Sequence, residues 1–168
     1  KILSALHTLR LAIQEEQIPV EVLPGGEYRL EPDLPQRLKR GEVLTLNDNG
    51  SFLLIELPGT VLPPFFEQVT YEIQLQGVTP VIAHPERNYV IAEKPEIMKA
   101  MTDRGILAQI TAASITGDFG KDTKKSAWQL IRQGSAHFVA SDSHYYKGRR
   151  SPKLSEAASE VKKQSGEQ

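Results

Sequence analysis

The sequence predicts one α/β domain, with parallel strands in a barrel-like sheet covered by helices. Three observations carry this expectation. Strand and helix patterns alternate along the chain. The strands are short, continuous apolar runs such as Val81-Ile82-Ala83, as expected where both faces are covered. Ionisable residues recur at or just beyond the ends of these runs, where parallel α/β barrels gather their active sites.

Each element follows from local spacing. Ile2, Leu3, Leu6, Leu9, Ala12 and Ile13 are helically spaced over 2–17, and Pro19 stops the pattern. Val20-Glu21-Val22-Leu23 reads as a short strand broken by Pro24-Gly25-Gly26, with Glu27-Tyr28-Arg29 directly after. Pro32 to Lys39 reads as a short polar helix ended by Gly41. Val43 to Leu46 and Phe52 to Leu57 read as two strands joined through Asn47-Asp48-Asn49-Gly50.

Pro63-Pro64 opens a helix reaching about Gln76, and Thr79 to Ala83 is a strand ending at His84. A helix over 95–104 precedes a strand over 106–111. Thr116-Gly117 turns the chain towards a helix over 122–133. Ala136 to Ser141 is a strand ending at Asp142, a last helix follows Pro152, and the polar tail from Lys162 is expected to fray. With no linker or internal repeat, residues 1–168 read as a single domain.

Composition narrows the chemistry. A formal charge of −1 on 168 residues gives no electrostatic reason to expect nucleic acid. The absence of cysteine excludes disulfides, thiolate metal sites and a cysteine nucleophile, and fits a cytoplasmic protein. No apolar run approaches the roughly 20 residues of a membrane span, so direct membrane insertion is not expected. The chain lacks an initiator Met and opens inside a helical pattern, as a fragment would.

Glu27, Glu56, His84 and Asp142 each stand at or just past an expected strand end. Acid and imidazole groups converging there would repel or desolvate one another without a positive partner. A divalent cation is the simplest partner, and this ligand mix suits Mn, Fe or Zn better than Ca. Ser141-Asp142-Ser143-His144 adds an Asp-x-His pair at a strand exit, so His144 joins the candidate ligands. Each has an ordinary alternative: Glu56 on an exposed edge, Glu27 in a loop, His84 in the core, Asp142 as a helix cap. The fourfold repetition of one placement argues against all four being ordinary.

Arg87 follows His84 by three residues, and Arg149 follows Asp142 by seven. Guanidinium forks beside a metal imply an anionic substrate such as a phosphate ester. Arg150 and Lys147 compete for the same role, while His7 and His137 read as structural. With no Gly-x-Ser-x-Gly elbow and no P-loop, metal-activated water is the remaining attacking group.

The segments Pro24-Gly25-Gly26-Glu27, Leu54-Ile55-Glu56-Leu57-Pro58, Ile82-Ala83-His84-Pro85-Glu86-Arg87-Asn88, residues 109–117 and His137-Phe138-Val139-Ala140-Ser141-Asp142-Ser143-His144 resemble, in order and spacing, the bacterial PHP-domain (polymerase and histidinol phosphatase) protein-tyrosine phosphatases of the capsule and exopolysaccharide type. The resemblance implies a distorted (β/α)7 barrel holding up to three metals, usually Mn2+. It implies Glu27, Glu56, His84, Asp142 and His144 as ligands, with Arg87 and Arg149 on the phosphate. His144 would assist the leaving phenolate as an acid.

The partner implied is a phosphotyrosine-bearing protein, in particular a bacterial tyrosine kinase. That family opens on a strand with a His-x-His pair that this sequence does not contain. The resemblance therefore implies a fragment incomplete at its N-terminus, with fewer metals and with open sheet edges that favour homo-oligomers. Two other readings stay open: hydrolysis of a small phosphate ester, and a non-catalytic binding module.

Overall fold

The computed structural model describes residues 2–165. In chain order the elements are α1 (Ile2–Glu15), β1 (Glu27–Arg29), α2 (Leu34–Lys39), a 3-10 turn (Leu46–Asp48), β2 (Phe52–Glu56), α3 (Phe66–Gln74), β3 (Thr79–Ala83) and a second 3-10 turn (Pro85–Arg87). There follow α4 (Tyr89–Glu93), α5 (Glu96–Thr102), β4 (Leu107–Thr111), α6 (Ala112–Thr116), α7 (Lys121–Arg132), β5 (Phe138–Ala140) and α8 (Leu154–Ser165).

The five strands form one parallel sheet in the order β1-β2-β3-β4-β5. Parallel neighbours need a crossover between them, and here helices supply it. A strand order that follows the sequence winds in one direction, as barrels do; a doubly wound sheet would reverse.

Side-chain alternation separates the faces. Leu53, Ile55, Ile82, Ala108 and Ile110 turn towards the helices, where they join Phe66, Val69 and Ile73 of α3, Met98 of α5, Ile115 of α6 and Leu130 of α7 in the main core. Burying each of the larger of these, the Leu, Ile, Val, Phe and Met side chains, contributes roughly 1.5–3 kcal/mol. Leu54, Val81 and Ala83 occupy the other face, with Leu46, Phe52 and Leu107 packed beside them. On that face the rings of Phe52 and Phe138 meet edge to face, their centroids 6.2 Å apart. These rings stand on β2 and β5, whose axes would lie roughly 14 Å apart in a flat sheet of ordinary spacing. The sheet curls towards this inner face.

Three expected features differ. Val20 to Leu23 is not a strand: Pro19 and Pro24 flank it, and the Val22 carbonyl accepts two hydrogen bonds from the Arg10 guanidinium instead of ladder bonds. Val43 to Leu46 is not a strand either, because both edges of β2 are taken by β1 and β3. The Leu44 N–H goes to the Tyr28 hydroxyl at 2.8 Å, and Asn47 and Asp48 take left-handed backbone angles, φ 58° and 51°. The tail expected to fray from Lys162 is helical as far as Ser165, where α8 ends, and its last residues, 166–168, lie outside the described residues. The short helices α4 and α6 carry too few residues to show a period in the sequence. Helix α1 forms where its spacing predicted, yet it buries none of its residues.

Candidate metal centre

The carboxyl ends of β2 and β3 place Glu56 as the last residue of its strand and His84 as the first residue past the next. The register sets Glu56 beside Ala83, so Glu56 and His84 are neighbours across the ladder. Glu27 arrives differently from its expected placing: it starts β1 opposite Leu54 rather than ending a strand. Because Glu27 and Leu54 share a pleat with Glu56 two residues on, the Glu27 carboxylate still faces the same side.

His84 Nε2 lies 3.1 Å from Glu27 Oε1. One donor atom from each of Glu27, Glu56 and His84 falls within 4.8 Å of the other two, a group able to hold a metal ion. Two donors on one cation lie at most about 4.4 Å apart for bonds of about 2.2 Å, so these three need only a small closing movement. The donor set, two carboxylates and an imidazole, suits a borderline divalent ion. Arg29 Nε approaches Glu56 Oε2 at 3.6 Å from an exposed position.

The backbone at His84 is left-handed, φ 35°, a conformation that costs a non-glycine residue of order 1–3 kcal/mol. Its N–H donates to the Gln109 carbonyl at 2.8 Å, and Pro85 then opens the 3-10 turn that carries Arg87. Asn88 ends that turn, caps α4 by accepting from the Ile91 N–H, and donates to the carbonyls of Pro58 and Val61. The exit of β2 is thereby tied to the exit of β3.

Asp142 also has a left-handed backbone, φ 46°, at the exit of β5. Its carboxylate lies outside the three-residue group and accepts from Arg87 Nη2 at 2.7 Å and from Arg150 Nη2 at 3.0 and 3.1 Å. Burial pushes the Asp142 carboxyl up, but the hydrogen bond and charge of Arg87, reinforced by Arg150, outweigh this and hold it below the usual range. His144 is exposed, and its Nδ1 lies 3.0 Å from the Asp142 carbonyl. A carbonyl only accepts, so this contact puts the proton on Nδ1 and leaves Nε2 free to act. Arg149 is exposed; of the two adjacent arginines, Arg150 is the one that reaches Asp142.

Three residues to which the sequence assigned no role surround Arg87: Glu86, Thr111 and Phe119. Glu86 is 1% exposed, and its Oε1 accepts from Thr111 N–H at 3.1 Å and Ser114 Oγ–H at 2.6 Å. Burial pushes its carboxyl up, and these hydrogen bonds and the charge of Arg87 only partly offset that. Thr111 also takes Arg87 Nη2 on its hydroxyl at 2.8 Å. Nothing in local spacing marks the Glu of His84-Pro85-Glu86-Arg87-Asn88 as buried. The ring of Phe119 lies under the Arg87 guanidinium at 4.4 Å.

Arg87 joins two clefts. One is lined by Glu56, His84 and Asn88, the other by Phe119, Tyr89 and Arg150. A hollow of about 950 Å3 between α3 and α5 shares no lining residue with either.

Comparison with known proteins agrees with this geometry. A family profile described as capsular polysaccharide synthesis, CpsB/CapC, matches residues 1–168. The tyrosine-protein phosphatase YwqE of Bacillus subtilis is 41% identical over 145 residues, which is 86% of this chain and 57% of that protein. The tyrosine-protein phosphatase CpsB of Streptococcus agalactiae is 32% identical over 130 residues, 74% of this chain and 53% of that protein. The chain thus spans about half the length of these curated relatives. A chain from the crystal structures of YwqE from Bacillus subtilis and CpsB from Streptococcus pneumoniae, described as unique metal-dependent tyrosine phosphatases, superposes with a TM-score of 0.93. It is 39% identical, and the match covers 98% of this chain and 66% of that one.

Proposed function

This chain belongs to the capsular polysaccharide synthesis CpsB/CapC family, and on that premise we propose that it carries the metal- and phosphate-binding part of a protein-tyrosine phosphatase. The observation that carries the reading is the convergence of Glu27, Glu56 and His84 donor atoms within 4.8 Å, with Arg87 on the rim of the same cleft. The ion is Mn2+ in this reading, supported by the mixed carboxylate and imidazole donors. Asp142 would serve a neighbouring ion position once released from its arginines, and His144 would do so only when neutral, with the Nε2 lone pair on the ion in place of the acid's proton.

When bound, a divalent cation supplies a Lewis acid and a lowered pKa for water beside it. The chain's own residues do the rest. Arg87 presents a partly exposed guanidinium on the rim of the three-donor cleft, a fork suited to phosphate oxygens. Arg149, exposed on the loop after Asp142, supplies the second fork when substrate is seated. Together they offset charge developing on the equatorial oxygens as the phenolate leaves. As the acid in this reading, His144 would donate from Nε2–H in its doubly protonated form, with Nδ1–H staying on the Asp142 carbonyl.

The substrates in this reading are phosphotyrosines of a bacterial tyrosine kinase in capsule synthesis, met in the cytoplasm. No helix among the described residues is long and apolar enough to cross a membrane. The curled sheet with its sequential strand order is read as part of the distorted (β/α)7 barrel of PHP phosphatases. Its edge strands β1 and β5, the latter with Phe138 and Val139 exposed, favour pairing with a second copy.

The test is phosphate release from a phosphotyrosyl peptide by the purified chain, with and without Mn2+, against a small phosphate ester, alongside the metal content of the protein. Mn2+-dependent release that prefers the peptide and is lost in His84→Ala is the expected result. A chain that retains no transition metal and gains no turnover on adding Mn2+ would overturn the reading.

A further inference from the structure

The buried carboxylate between His84 and Arg87 has no part in the scheme above, and its surroundings suggest one. Glu86 lies in the Pro85–Arg87 turn, which leaves the sheet at β3 between two backbone-anchored neighbours, His84 with its N–H on the Gln109 carbonyl and Asn88 with its side chain on the Pro58 and Val61 carbonyls. Its Oε1 reaches across to β4 and α6, accepting from the Thr111 N–H and the Ser114 hydroxyl. Thr111 in turn accepts Arg87 Nη2 on its Oγ1. One residue at the end of β4 therefore grips both members of the Glu86-Arg87 dipeptide, the first by its backbone and the second by its side chain.

A carboxyl this deeply buried is unfavourable unless its hydrogen bonds do something an apolar side chain could not. An apolar residue would fill the same space but leave the Thr111 N–H and Ser114 hydroxyl without this acceptor, and the turn without its carboxylate tie to the end of β4. We propose that Glu86 is a positioning residue that fixes the Arg87 guanidinium for anion binding by locking the 85–87 turn to the end of β4. This rests on the reading of Arg87 as a phosphate-holding residue.

The experiment is a double-substitution cycle on the whole chain with Mn2+ present. The probe is a peptide bearing a non-hydrolysable phosphonate analogue of phosphotyrosine, its affinity measured by calorimetry. A second readout is the Arg87 Nε–H resonance, which burial shields from exchange. Glu86→Ala should weaken the peptide about tenfold, the scale on which contacting residues couple, and should shift or broaden that resonance. Glu86→Gln, which keeps an acceptor oxygen for both donors, should restore binding to within about threefold of the unsubstituted chain. In an Arg87→Ala background, Glu86→Ala should change the affinity by less than about twofold.

Equal losses in both backgrounds, or an unmoved Arg87 resonance, would overturn the inference and leave Glu86 as a support for α6 alone. Arg87→Ala binding as tightly as the unsubstituted chain would instead remove the phosphate reading of Arg87, and the inference with it. Should Glu86→Ala not fold, Ser114→Ala, which removes one of the two donors, takes its place in the cycle. A loss of about threefold that vanishes without Arg87 is then the supporting result, and an additive loss the overturning one.

Discussion

The imidazole of His84 and the carboxylate of Glu27 meet at 3.1 Å although 57 residues separate them. His84 is kept in a left-handed backbone conformation by the Gln109 carbonyl on one side and Pro85 on the other. Glu27 is brought to it by three residues of parallel pairing with β2. With Glu56 they make a three-donor group, so removing one donor should be felt directly as ion affinity. Glu27→Gln should weaken Mn2+ binding by at least about tenfold in a calorimetric titration, the order seen when a metal site's ordering groups are lost. Unchanged affinity would show that the cation, if any, sits elsewhere.

Arg87→Ala and Arg149→Ala should each lower kcat/KM for a phosphotyrosyl peptide by about 10²-fold or more, if they meet charge that develops in the transition state. The loss should appear in kcat as well as KM. Near-unchanged turnover in both variants would remove the guanidinium clamp.

Asp118 gives a pH dependence that can be isolated. Burial pushes its carboxyl up, but hydrogen bonds from Lys153 at 2.6 Å and Thr116, with the charge of Lys153, hold it below the ordinary value. A depressed folded pKa means the contribution is complete above the unfolded value, near 3.9. It is lost as pH falls through the folded value. Urea unfolding followed between about pH 6 and 3 should therefore show stability falling on acidification, and the fall should be shallower in Lys153→Met. Parallel curves for the two proteins would contradict the coupling of the α6 exit to the start of α8.

The Phe52–Phe138 contact tests the curl of the sheet. Single alanine substitutions and the double variant should give a coupling of about 0.5–1.5 kcal/mol in urea unfolding, the range for an edge-to-face pair. A coupling indistinguishable from zero would mean that β2 and β5 do not face one another across the inner surface.

Alanine at Ile82, fully buried on the helix-covered face, should cost about 2–5 kcal/mol of stability. A change well under that range, measured by the same denaturation, would place Ile82 outside a packed core.

Local spacing was enough for much of this. Runs such as Val81-Ile82-Ala83 and Phe52 to Ile55 have only one way to bury both faces, which is inside a parallel sheet, so class and strand identity were legible. The position of Glu56 and His84 at strand ends followed from the same runs. What the sequence could not carry was anything decided by distant neighbours. Val43 to Leu46 has strand-like residues, but the edges of β2 were already filled by β1 and β3, a fact of pairing rather than of propensity. Glu27 reaches the site through register with Leu54, and Glu86 is buried because Thr111 and Ser114 happen to face it. Likewise, of two adjacent arginines, packing rather than spacing chose Arg150 for Asp142. Periodicity reports which face a residue prefers; which partner waits there is fixed only when the strands are laid side by side.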